Sequence, residues 1–135
     1  MSEPSSKDTP FDRLGGEVEV RRLAARFYDR MDADEPALAR LHPLDPEGRV
    51  AQGSRDRFAL FLIEWLGGPA VYSPVHGHPR LRMRHAHTTV STAMRDAWLR
   101  CMSRAMHDVG VPGHTRPFLE QRFAEVADFL RNTPD

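Results

Sequence analysis

The residues of this 135-residue chain with the clearest chemical potential lie in one run, Gly77-His78-Pro79-Arg80-Leu81-Arg82-Met83-Arg84-His85, followed by Trp98 within Asp96-Ala97-Trp98-Leu99-Arg100-Cys101-Met102. Histidine is the commonest protein ligand for metals, and a neutral imidazole can offer a nitrogen to a haem iron. His85 closes a short basic turn just ahead of a long apolar helix that carries an indole. That helix can bring Trp98 to the same pocket from the other side. Taken alone, a histidine such as His85 is more often a hydrogen-bonded core or surface residue than a ligand, so the elements around it decide its meaning.

Composition limits what can surround such a site. The chain has the length of one domain, and with 40% hydrophobic and 8% aromatic residues it can enclose a flat cofactor between helices. Its 19 basic and 19 acidic residues cancel, so no global field draws it to nucleic acid or to an anionic membrane. Small molecules are the expected partners. The single cysteine, Cys101, falls on an apolar helix face, where an inert buried thiol is the ordinary state, and a cytoplasmic location suits it. No apolar run approaches the roughly 20 residues of a membrane span. Residues 1–10, polar and without a signal-peptide core, are expected to form a disordered arm, with a single domain over 11–131 and a short tail at 132–135.

Helical periods broken by Gly and Pro run through the chain, with no alternating stretch that reads as a strand, and they predict an all-α fold. After a short lead-in at 11–16, Val20, Leu23, Ala24, Phe27, Tyr28 and Met31 recur on one helix face. Pro36 opens a short turn through 41, and His42-Pro43-Leu44-Asp45-Pro46 forces a corner. From about 47 to 66, Phe58, Phe61, Leu62 and Trp65 mark a second amphipathic helix, stopped by Gly67-Gly68-Pro69. Residues 67–78 form a long loop, which in a small domain is often functional. Pro79 then starts the turn that ends at His85. Ser91 caps a helix with Met94, Trp98, Cys101, Met102, Ala105 and Val109 inward, and a last helix over 116–131 turns Leu119, Phe123, Val126 and Leu130 to the core.

Phe27-Tyr28, Trp65-Leu66-Gly67-Gly68-Pro69, Tyr72, Gly77-His78-Pro79, Arg82-Met83-Arg84-His85 and Asp96-Ala97-Trp98-Leu99-Arg100-Cys101-Met102, in this order and spacing, resemble the bacterial truncated haemoglobins of group II, within the globin superfamily. The resemblance covers residues 11–131. It implies a two-over-two helical sandwich enclosing a haem b, iron protoporphyrin IX. By position, His85 is then the proximal iron ligand, with its second ring nitrogen held by an acceptor that fixes the tautomer. Tyr28 and Trp98 are implied as distal donors. Indole N–H can only donate, which favours a ligand with acceptor character such as dioxygen over carbon monoxide. Phe27, Ser54, Phe58, Phe61, Leu62, Val90 and Met94 are the implied pocket walls. Arg57, Tyr72 and Arg84 are placed to meet the haem propionates, since guanidinium matches carboxylate geometry.

Two departures from the family pattern bear on these roles. Ala86-His87-Thr88 follows His85 where an aromatic wall is usual, which brings His87 close as a rival ligand. At the corner, His42 stands where Tyr or Phe is common. It can add a pH-sensitive polar group beside Tyr28, or reach the iron itself. The expected ligands are dioxygen, CO or NO, with an unidentified reductase and a second copy of the chain as further candidate partners. Peroxidase and nitric oxide dioxygenase turnover are left open, because no flavin or nicotinamide signature supplies electrons. Two other classes compete: a zinc or copper site built from His76, His78, His85 and His87, and a cofactor-free helical interaction module.

Overall fold

The computed structural model describes residues 9–77 and 91–130. Over these the chain is helical, as the sequence predicts, with one isolated bridge between Leu44 and Val50 in place of any strand. The elements are α1 (Pro10–Leu14), α2 (Glu17–Asp34), α3 (Pro36–Ala39), α4 (Gln52–Trp65), α5 (Ser73–His76), α6 (Thr92–Val109) and α7 (Arg116–Leu130). Helix α2 packs against both α4 and α6, and α6 packs against α7. The six apolar positions read on α2 are all buried. They meet Leu62 and Ile63 of α4, Cys101, Met102 and Met106 of α6, and Leu119 and Phe123 of α7.

Local chemistry sets the boundaries. Thr9 caps α1 through a reciprocal box with Asp12, and the Phe11 N–H donates to the Leu66 carbonyl at 2.9 Å, which docks α1 on the end of α4. Gly67 and Gly68 therefore do more than stop α4. A Cβ at Gly67 would lie 2.7 Å from the Thr9 Cβ, and one at Gly68 would lie 2.6 Å from the Phe11 ring, so only glycine lets α1 approach this closely. Ser91 accepts from the Met94 N–H at 3.3 Å, as a cap should, and Gly110 ends α6 in the left-handed region.

Three expectations are corrected. Helix α4 starts at Gln52 rather than near 47, because the Asp45 carboxylate accepts the Glu47 and Arg49 N–H groups and holds a turn there. The loop from 67 contains the one-turn helix α5, nucleated by Glu64, whose carboxylate accepts from the Tyr72 and Ser73 N–H groups at 3.0 Å and from the Ser73 hydroxyl. On α7, Ala127 is buried and Val126 only half-buried, since the buried face steps by four residues from Leu119 through Phe123.

Asp108 braces α6 to α2. It accepts from Arg30 Nε at 2.6 Å and Nη2 at 2.8 Å, and from Arg26 Nε at 2.8 Å. The Arg30 hydrogen bonds hold its carboxyl well below the usual carboxylate range. A depressed pKa leaves the brace at full strength above the unfolded value of about 3.9, and weakens it as pH falls through the folded value. Asp108→Asn is therefore expected to cost about 1–3 kcal/mol at neutral pH. In thermal unfolding, the gap from wild type should be constant above about pH 5 and narrow below about pH 4. A gap that does not narrow in acid would show that the ion pairs contribute nothing.

Candidate functional site

The sequence-predicted distal residues converge on one aromatic cluster between α2, α4 and α6. Phe27, 1% exposed, is the hub, with ring centroids 5.0 Å from Tyr28, 5.0 Å from Phe58 and 5.1 Å from Trp98. Phe58 also meets Tyr28 edge-on at 5.6 Å and Trp98 at 6.3 Å. Tyr28 and Trp98 thus flank the same two phenylalanines. From Phe58 the cluster continues through Phe61 to Tyr72, at 6.2 Å and 5.8 Å, and from Tyr72 to His76 at 4.9 Å. Phe58, Phe61, Met94 and Trp98 are only half-buried, whereas Leu62 lies wholly in the core.

Tyr28 is held as a neutral donor. Burial pushes its phenol above the ordinary tyrosine range, against the opposing pull of the Arg55 charge. Its O–H therefore stays protonated at any working pH. His42 stands edge-on to the same ring at 5.8 Å, with Nδ1 3.1 Å from the Leu38 carbonyl. A carbonyl only accepts, so Nδ1 carries the proton, and in the neutral ring Nε2 is an acceptor. His42 can donate from Nε2 only as an imidazolium, which sharpens the pH-sensitive role read from the sequence. Cys101 is buried, with its thiol pushed up to about 12 by desolvation, the inert thiol expected.

On α4, Ser54 is half-buried and Arg57 exposed. They share a helix face with Phe58 and Phe61, as the spacing of three and four residues requires. Tyr72 is 2% exposed, and its position is fixed by the Glu64 clamp on the backbone of residues 72 and 73. His85, Arg84 and Val90 lie outside the described residues, as do His78 and His87 of the rival metal set. Among the described residues, no three His, Cys, Asp or Glu side chains are grouped to hold a metal ion.

Sequence reading missed two residues. Arg55 is the half-buried arginine of α4, with its side chain 11% exposed. The signal was available: Asp29 and Asp32 sit one and four residues after Tyr28, beside the apolar face of an amphipathic helix, an acidic pair that calls for a cation. Glu64 was equally legible as a carboxylate at the end of a helix, ahead of the Tyr72-Ser73-Pro74 start of a short turn whose first amides need an acceptor.

A sequence model of the bacterial-like globins matches residues 9–132. The chain belongs to that family. It is 36% identical over 127 residues to the group 2 truncated haemoglobin of Bacillus subtilis, spanning 94% of this chain and 91% of that protein. Among solved structures, the group II two-on-two haemoglobin of Agrobacterium tumefaciens superposes with a TM-score of 0.86 at 34% identity, covering 99% of this chain and 100% of that one. The truncated oxygen-avid haemoglobin of Bacillus subtilis superposes with a TM-score of 0.82 at 35% identity, covering 93% and 100%.

The truncated two-over-two sandwich is therefore the fold of this globin. Membership carries with it haem-based ligand binding, the general activity of the globins, and favours neither the zinc or copper reading nor the cofactor-free module. The residues present fit such a group. Phe58, Phe61, Met94 and Trp98 present apolar and aromatic surface that the fold leaves partly uncovered, the kind of surface a flat apolar ring system buries.

Proposed function

We propose that this globin binds dioxygen, and other diatomic ligands, at a haem b held by His85, with Tyr28 and Trp98 as distal donors. One observation carries the reading: a buried, neutral tyrosine and an indole flank the same two phenylalanines at the edge of a half-buried aromatic wall. The haem iron supplies the position at which a diatomic ligand binds. Tyr28 O–H and Trp98 N–H donate to a ligand carrying partial negative charge, and each such charge-assisted bond contributes about 1.5–3 kcal/mol. Carbon monoxide, a poor acceptor, gains little from either. Phe27, Phe58, Phe61 and Met94 exclude water and fix the two donors by packing. Arg57, Tyr72 and Arg84 pair with the propionates. His42 adds a polar group whose Nδ1 is engaged by the Leu38 carbonyl and whose Nε2 donates only in the imidazolium.

The same reading expects tight, slowly releasing oxygen, in keeping with a relative described as oxygen-avid, and a cytoplasmic location. No helix among the described residues is long and apolar enough to cross a membrane. Peroxidase or nitric oxide dioxygenase turnover, with an unidentified reductase, is a further hypothesis tested by steady-state rates against free haem. The first test is the visible spectrum of protein supplied with haem, oxidised, reduced, and reduced with carbon monoxide, for wild type and His85→Ala. A histidine-ligated spectrum that collapses in the variant supports the assignment. A colourless wild type sinks it.

A further inference from the structure

Arg55 is the least exposed arginine in the described ion pairs, and its hydrogen-bond partners lie on α2 just after Tyr28 and in the corner before α4. Its Nε donates to the Val50 carbonyl at 2.9 Å, its Nη1 to Asp29 at 3.0 Å, and its Nη2 to Asp32. The guanidinium carbon stands 5.6 Å from the centroid of the Tyr28 ring. Asp32 also accepts the Val50 N–H at 3.0 Å. Arg49 pairs with Asp29 at 3.1 Å and with Asp32 at 3.6 Å, so two cations face two anions and the cluster is electrically balanced.

We propose that Arg55 is a positioning residue for Tyr28, setting both the placement of its ring and the strength of its hydroxyl as a donor. A planar guanidinium with fixed donors can bind a carbonyl and two carboxylates at once, which an ammonium cannot do with the same rigidity. The two carboxylates sit on α2 one and four residues after Tyr28, so the clamp holds the helical turn from 28 to 32 that starts at the tyrosine. The Val50 bond ties the same turn to the corner after His42. Phe27, Phe58 and His42 all meet the tyrosine ring at steep or edge-on angles, and the cation is held beside that box. A cation near the ring draws electron density from the phenol and makes its O–H a better donor. The Coulombic pull of Arg55 on the Tyr28 phenol acts in that direction, against burial. Arg57, assigned to a propionate, is exposed on the same helix and makes none of these bonds, so the two arginines have separate jobs.

The consequence for ligands rests on Tyr28 being a distal donor, while the Arg55–Tyr28 coupling itself does not, and the test separates the two. Arg55→Met and Arg55→Lys are compared with wild type, each also in a Tyr28→Phe background, using protein as purified and after haem loading. In protein labelled with carbon-13 at the tyrosine ζ carbon, the Tyr28 resonance, assigned by its loss in Tyr28→Phe, should shift in Arg55→Met and shift less in Arg55→Lys. In the haem-loaded protein, Arg55→Met should speed oxygen release roughly 2- to 30-fold and change carbon monoxide release less than about 2-fold. The oxygen effect should vanish in the Tyr28→Phe background. If Arg55→Met fails to fold, Arg55→Lys carries the same comparison at smaller amplitude. An unmoved Tyr28 resonance, or an equal oxygen effect in both backgrounds, overturns the proposal. Protein that takes up no haem sinks the oxygen-binding reading and leaves the resonance to decide Arg55 alone.

Discussion

Tyr28→Phe combined with Trp98→Phe is expected to speed oxygen release by two to four powers of ten. Each donor contributes about 1.5–3 kcal/mol to a ligand with anionic character, and about 1.4 kcal/mol is one power of ten. Each single variant should therefore release oxygen roughly 10- to 150-fold faster. The range for the double variant is the sum of the two single effects, and its value should fall toward the lower end, because both rings lean on Phe27 and Phe58 and residues in contact couple. Carbon monoxide is the control: its release should change little in any of the three variants, since it offers little charge to a donor. Stopped-flow displacement of oxygen and of carbon monoxide reads both quantities on one sample. Single variants that leave oxygen release unchanged would remove the donors from the mechanism while leaving the fold untouched. The sign with pH is also fixed. Burial keeps the Tyr28 phenol protonated far above neutrality, so no loss of its donor is expected on the alkaline side of the working range.

The helical fold was legible because burial on a helix repeats with the helix period. The six apolar positions of α2 were read from spacing alone and all six are buried. The polar groups that define boundaries were harder to read, since their effect depends on which backbone amides lie within reach. Asp45 delays α4 and Glu64 starts α5 through hydrogen bonds that no periodicity encodes. Gly67 and Gly68 were visible as a stop. Their second role, clearance for Thr9 and Phe11, needed the path of α1, which is distant in sequence. The site divides in the same way. Tyr28, Trp98 and Phe58 are large apolar or amphipathic residues whose helix faces place them, and they do converge. Arg55 escaped because an arginine on a helix is ordinarily a solvated surface group, and only its partners on α2 reveal otherwise. His42 was legible as a pH-sensitive polar group, and its tautomer was not, because the Leu38 carbonyl, four residues back, sets it.

Phe27→Ala is expected to be the most destabilising single change among these residues. The ring is 1% exposed and touches Tyr28, Phe58 and Trp98 at once, so three neighbours would have to move together to fill the space. Truncations of this kind cost about 3–5 kcal/mol, a large share of the roughly 5–15 kcal/mol that holds a domain folded. For a chain of this size the melting temperature should fall by about 10–20 °C. Val18→Ala, 74% exposed on the same helix, is the matched control and should stay within about 0.5 kcal/mol of wild type. Phe27→Leu, which keeps most of the volume, should fall between the two in stability. It should also speed oxygen release, because the contact that holds both donor rings is loosened while the donors remain. If instead Phe27→Leu loses stability with no change in oxygen release, Phe27 is core alone, and the donors take their positions from Phe58 and α4. If Phe27→Ala melts like Val18→Ala, the aromatic cluster is not what joins α2 to α6, and the Asp108 brace must carry that contact.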